Sequence, residues 1–91
     1  ILTAFKEVED ALTAVHTAST QRKAQQEQVD AMRSAFQLAN LRFQNGITSY
    51  IEVLLAKRAL FEAESALMTT QRLHLVSIVQ LYKALGGGWA L

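Results

Sequence analysis

Arg42-Phe43-Gln44-Asn45-Gly46-Ile47-Thr48-Ser49-Tyr50-Ile51-Glu52-Val53 decides how this chain folds. It lies near the middle of 91 residues and holds the first of four glycines; Gly86, Gly87 and Gly88 stand together near the end, and proline is absent. Asn and Gly tolerate the left-handed conformation that closes a helix, and Arg42 suits the negative end of a helix dipole. Ser49 and Glu52 have the spacing of a capping box, with Thr48 as a competing N-cap. One helix therefore stops at Asn45-Gly46 and another starts within about three to five residues, which forces an antiparallel return.

Upstream of the turn, apolar residues recur every seven positions: Val8, Val15, Val29, Phe36 and Phe43, with Arg22 at the missing step. Three residues after each come Ala11, Ala18, Gln25, Met32 and Ala39. This is a heptad seam with many small residues at its contact points. An offset stripe of Ala24, Ala31, Ala35, Leu38 and Leu41 marks a second face. The polar run from His16 to Gln28 consists of good helix formers and reads as helix with a wet side; a break there is the alternative. The first helix is expected over about 1–44 and the tip over 45–48.

Downstream, a helix is expected over about 49–85, again with two stripes. One is Ile51, Leu54, Arg58, Phe61, Ser65, Met68, Arg72, Leu75, Val79 and Tyr82; the other is Val53, Leu60, Leu67, His74, Ile78, Leu81 and Leu85. The Gly-rich end, 86–91, stops the helix, and Trp89 is placed to fold back on its last turn. The fold class is all-α: a long, coiled-coil-like antiparallel two-helix hairpin. Helices of about 40 residues span roughly 60 Å.

Such a hairpin buries only the stripes that face each other, yet 51% of its residues are hydrophobic, more than one seam needs. The surplus predicts further helices, from other copies or from the rest of a longer protein. The chain begins at Ile1 in helical pattern without an initiator Met, and reads as a fragment. Nine basic and eight acidic residues are spread along it, leaving no basic patch for nucleic acid. Cysteine is absent, which excludes disulfides and thiolate metal sites. No apolar run reaches the 18 or so residues of a membrane helix.

The motif Arg42-Phe43-x-x-Gly46-x-x-Ser49-Tyr50-Ile51-Glu52-Val53-Leu54, continued by Ala56-x-Arg58-x-Leu60-Phe61, resembles the C-terminal part of TolC-type outer-membrane efflux proteins. The ending Leu81-Tyr82-Lys83-Ala84-Leu85-Gly86-Gly87-Gly88-Trp89 is similar to the lipoprotein branch that serves resistance-nodulation-division pumps, and Phe5-Lys6-Glu7-Val8-Glu9-Asp10-Ala11-Leu12 resembles the start of that family's long helix. The resemblance covers essentially the whole chain. It implies a homotrimer with a β-barrel in the outer membrane, outside this stretch, and an α-helical tunnel through the periplasm of a Gram-negative bacterium. This hairpin would be part of the tunnel's α-helical barrel. Its partners would be a periplasmic adaptor and, indirectly, an inner-membrane pump, and its role the export of drugs or other small molecules. No cofactor and no nucleic acid are implied.

Residue types alone explain the turn as a helix stop with a cap behind it. The resemblance adds that Asn45, Gly46, Ile47, Thr48, Ser49 and Tyr50 form the adaptor-binding tip, with Gly46 allowing close backbone approach. It also marks Glu52, Leu55 and Arg58 as an entrance gate. Family members often carry Val-Leu-Asp-Ala-Gln-Arg there; here Val53-Leu54-Leu55-Ala56-Lys57-Arg58 retains the Arg but replaces the aspartate by Leu55. Arg58 is then either a closing salt-bridge partner or an Arg snorkelling from a seam, and three Leu55 side chains could gate by dewetting.

No catalytic or metal constellation emerges. His16 and His74 lie on different helices, and neither has a His or carboxylate three or four residues away. Glu7, Glu9, Asp10, Glu62 and Glu64 read as solvated helix faces rather than acid-base pairs. Met32, Met68 and the phenylalanines are packing residues before they are a substrate surface. The competing class is a free-standing helical interaction module without a transport role; a coding region that begins close to Ile1 would favour it.

Overall fold

The computed structural model describes residues 2–86, with side chains from Phe5 onward. Two helices account for nearly all of it: α1, Leu2–Gln44, and α2, Tyr50–Ala84. They form an all-α hairpin, with no strand among the described residues. α1 continues through the polar run from His16 to Gln28, because Gln, Arg, Lys and Glu carry good helix propensity even where they bury little. The break considered for that run does not occur.

α1 ends in a Schellman motif. Ile47 N–H donates to Arg42 O at 2.8 Å and Gly46 N–H to Phe43 O at 3.0 Å, while Gly46 takes φ +73°. These bonds satisfy carbonyls that the last turn leaves without helical partners. Ser49 then stands immediately before α2, and Glu52 N–H donates to Ser49 O at 3.2 Å. At the far end Gly86 repeats the device, with φ +80° and its N–H on Lys83 O at 3.0 Å. Gly87, Gly88 and Trp89 lie outside the described residues.

The chain forms two compact units. The unit Ala24–Met68 carries the turn. Its centre is Val29, 1% exposed, packed with Ala63 and Leu67 and flanked by Met32 and Leu60. Phe36 is half-buried, and Ala39 and Val53 are buried nearer the turn. Burying one such aliphatic side chain contributes about 1.5–3 kcal/mol, so this cluster holds the tip-bearing end together. Arg33 spans the two helices here, 3.4 Å from Glu64, and also approaches Asp30 at 3.7 Å.

The other unit comprises Ile1–Lys23 and Thr69–Leu91. Val8, Ala11, Val15 and Ala18 are half-buried along α1, opposite a seam on α2 made of Thr70, His74, Ser77, Leu81 and Ala84. Thr70 and Ser77 are the buried polar side chains among the described residues. Ser77 Oγ donates to the His74 carbonyl at 2.7 Å, which satisfies a hydroxyl that burial would otherwise penalise. Arg22 Nη1 donates toward His74 Nδ1 at 3.4 Å, so the missing step in the valine and phenylalanine recurrence of α1 faces another polar group.

The inward face of α1 is the expected heptad, except that Arg22 and Phe43 are exposed. On α2 the inward face is Val53, Leu60, Leu67, His74 and Leu81, completed by Ala56, Ala63, Thr70, Ser77 and Ala84. Ile78 and Leu85, assigned to this stripe from sequence, are exposed instead. The strict seven-residue period takes Ser77 and Ala84, one position earlier, into the seam. Small side chains at every second step of the α2 seam give the larger residues of α1 room.

Candidate interaction site at the helical tip

Five residues, Asn45 to Ser49, connect the helices, and all but the half-buried Thr48 are exposed. Asn45 is held twice on one acceptor: its backbone N–H donates to Leu41 O at 3.1 Å and its Nδ2 to the same oxygen at 2.9 Å. Ile47 is 65% exposed, with Tyr50 and Ile51 also largely exposed. A tip with a hydrogen-bonded frame and an uncovered Ile-Tyr-Ile surface suits shape-complementary contact rather than chemistry.

Two contacts close the tip from behind. The rings of Phe43 and Tyr50 stand 5.1 Å apart with planes inclined at 55°. Arg42 Nη1 lies 3.9 Å from Glu52 Oε2. Tyr50 belongs to the tip assigned from sequence and Glu52 to the gate, but their partners Phe43 and Arg42 were read there only as a seam residue and a dipole partner. The one signal was their position flanking the turn, at the end of α1.

The three residues assigned to a gate from sequence have separate surroundings in a single hairpin. Glu52 faces Arg42; Leu55 is 60% exposed; Arg58 Nε donates to Glu62 Oε1 at 3.1 Å, one turn along its own helix. That pair is exposed on both sides and contributes at most about 1 kcal/mol.

Beyond the tip, α2 carries an exposed stripe of Ile51, Leu54, Phe61, Met68, Leu75, Val79 and Tyr82, interrupted by Arg58, Ser65 and Arg72. At 3.6 residues per turn its centre lies roughly 150° round the helix from the seam. α1 exposes Leu38 and Leu41 beside Ala24, Ala31 and Ala35. Within the tip-bearing unit a shallow hollow opens beside the seam, with Val29, Leu67, Phe61 and Met68 in its lining and the Arg33–Glu64 pair beside them. Among the described residues no group of three His, Cys, Asp or Glu is placed to hold a metal ion. No helix there is long and apolar enough to cross a membrane.

These features, a continuous hairpin with a glycine-closed tip and apolar faces on both sides of α2, fit a wall-forming helical segment of a larger assembly. Residues 1–87 match the outer membrane efflux protein family, and the chain belongs to it. It is 47% identical over all 91 residues to the solvent efflux pump outer membrane protein SrpC of Pseudomonas putida, of which it covers 19%. It is 46% identical to the toluene efflux pump outer membrane protein TtgC of that species over 89 residues, 98% of this chain and 18% of that protein. The pyoverdine export outer membrane protein OpmQ, also from Pseudomonas putida, is 43% identical over 98% of this chain. The chain thus spans about one fifth of the length of these relatives. It corresponds to the periplasmic helical part of a Gram-negative outer-membrane protein, and the family is one of transport rather than catalysis.

Proposed function

We propose that this hairpin is a segment of the periplasmic tunnel wall of a trimeric outer-membrane efflux channel. Its tip, Asn45 to Tyr50, docks the hairpin tips of a periplasmic adaptor protein. The first turns of α2, with Glu52, Leu55 and Arg58, stand at the entrance gate. The observation that carries this reading is the second apolar face of α2. Ile51, Leu54, Phe61, Met68, Leu75 and Tyr82 are too many large side chains to leave in water, and they lie nearly opposite the seam. A helix with apolar faces on opposite sides needs a neighbour on each, which is the arrangement of staves in a closed wall.

The mechanism is passive. The wall encloses a path, the adaptor seals its mouth, and rearrangement of the helices at the tip opens or closes it, with energy supplied by an inner-membrane pump. Relatives named for solvent, toluene and pyoverdine export support small organic molecules as cargo. Leu55, where the family often has aspartate, favours a mouth that closes by an apolar ring expelling water over one that selects by an acidic ring.

Cysteine crosslinking in cells tests the docking. Ile47→Cys should crosslink to an adaptor tip, whereas Leu12→Cys, also exposed but in the unit that does not carry the tip, should not. Gly46→Trp should abolish pairing while helicity is retained. Unimpaired pairing of Gly46→Trp, or equal crosslinking at both positions, would refute the tip assignment.

A further inference from the structure

The tip also carries a chemical liability that its own hydrogen bonds restrain. Asn45 is followed by Gly46, and both are exposed. Nothing lies within 4 Å of the point where a Cβ of Gly46 would stand, and a glycine has no side chain of its own to crowd its nitrogen. The chain's other asparagine, Asn40, is half-buried within α1 and is followed by Leu41, whose branched side chain crowds the corresponding nitrogen.

We propose that Asn45 is a site of spontaneous deamidation and isomerisation, and that the rate is governed by opening of the tip. The Gly46 backbone nitrogen, after giving its proton to hydroxide, attacks Asn45 Cγ. The N–Cγ bond forms, the Cγ–Nδ2 bond breaks, and Nδ2 leaves as ammonia after taking a proton from water. The product is a five-membered succinimide. Water then opens the ring: cleavage of the new N–Cγ bond leaves aspartate, and cleavage of the original peptide bond leaves isoaspartate. Overall one water is consumed and one ammonia released, with no change of oxidation state.

Two bonds of the closed tip oppose the attack. Asn45 Nδ2 is tied to Leu41 O at 2.9 Å, which holds the carboxamide back over α1. The Gly46 N–H, whose proton must leave, donates to Phe43 O at 3.0 Å. Reaction requires both to be released, so the closed tip reacts more slowly than an open one, by a factor of roughly ten or more.

The products change the tip itself. Aspartate puts a negative charge at the negative end of the α1 dipole. Isoaspartate adds a methylene to the backbone inside the Schellman turn, so the Arg42–Ile47 and Phe43–Gly46 bonds lose their register. If the tip is the docking surface proposed above, conversion marks aged channels as poor adaptor partners; this consequence rests on that reading, whereas the modification does not.

Peptide mapping by mass spectrometry, with chromatographic separation of aspartyl and isoaspartyl peptides, tests it on the intact protein in detergent at mildly alkaline pH. Conversion at Asn45 but not Asn40 is expected, at least tenfold slower in folded protein than in a urea-unfolded sample. Phe43→Ala, which loosens the tip, should bring the folded rate closer to the unfolded one. No conversion at Asn45 in folded protein kept many times longer than the unfolded sample needs to react fully would overturn the modification. Equal folded and unfolded rates would overturn the gating. Adaptor binding of Asn45→Asp against Asn45→Gln is a separate readout: equal binding by both removes the consequence and leaves the chemistry standing.

Discussion

Phe43 closes α1 and Tyr50 opens α2, and their rings meet across the tip with centroids 5.1 Å apart. A tilted aromatic pair at this distance contributes about 1 kcal/mol beyond its area. Phe43→Ala or Tyr50→Ala should therefore speed hydrogen exchange at the amides of Gly46 and Ile47 about fivefold or more, while Tyr50→Phe should keep the native rate. Because Tyr50 is 54% exposed, the effect on the melting temperature should be small, and local exchange is the measurement that resolves it.

Val29 and Phe61 separate seam from outer face. Val29 is 1% exposed and central to the buried cluster, so Val29→Ala should cost roughly 2 kcal/mol whether or not the rest of a channel is present. Phe61 is 70% exposed in the hairpin, so Phe61→Ala should change the stability of an excised hairpin by less than about 0.5 kcal/mol. In the trimer proposed above, the same change should weaken the intact protein's assembly, read as trimer dissociation on heating. An unchanged trimer would remove the second apolar face as the basis of the wall.

Gly46 can be tested without steric interference. Its φ of +73° is strained for a residue with a Cβ, although nothing crowds the site. Gly46→Ala should cost about 1 kcal/mol from backbone strain alone, and Gly46→Asn less, because Asn enters the left-handed region more readily. Thermal melting of the two variants side by side gives the order. A cost for Ala no greater than for Asn would contradict the strain argument.

The Arg22–His74 contact makes a weak polar layer in a seam that also carries Thr70 and Ser77. At 3.4 Å the bond is long, and Arg22 is exposed. Replacing both residues by Leu should stabilise the hairpin by roughly 1 kcal/mol by extending the seam. A double-mutant cycle should find a coupling below about 0.5 kcal/mol. A coupling well above that would mean the pair stabilises the fold and is not merely tolerated.

The Arg33–Glu64, Arg42–Glu52 and Arg58–Glu62 pairs are all partly to largely exposed. Raising salt from low to high should shift the melting transition only slightly, because such pairs contribute at most about 1 kcal/mol each and are readily screened. A pronounced loss of stability with salt would show that the Arg33 pairs act as a network rather than separately.

Much of this arrangement was legible before any coordinates. Absence of proline, the Asn45-Gly46 stop and the Ser49 start are local signals, and local signals set where a helix begins and ends. The α1 seam was legible too, since the large residues Val8, Val15, Val29 and Phe36 recur every seven positions while the offset stripe is mostly alanine. The tip contacts were not, because Phe43–Tyr50 and Arg42–Glu52 depend on how two helix ends meet across a five-residue connection. Nor was the Arg22–His74 layer, whose partners stand 52 residues apart.

The sequence by itself determined two helices, one turn and two apolar stripes on each helix, because propensity, capping and periodicity act within a few residues. Only the tertiary structure decided which α2 stripe turns inward. Both stripes have the helical period and both are apolar, so local pattern could not rank them. Packing could: the stripe of Val53, Leu60 and Leu67 is interleaved with Ala56, Ala63, Thr70 and Ser77, small enough for a partner helix to sit against. The bulkier stripe from Ile51 to Tyr82 is left facing out, at the surface where a wall would continue.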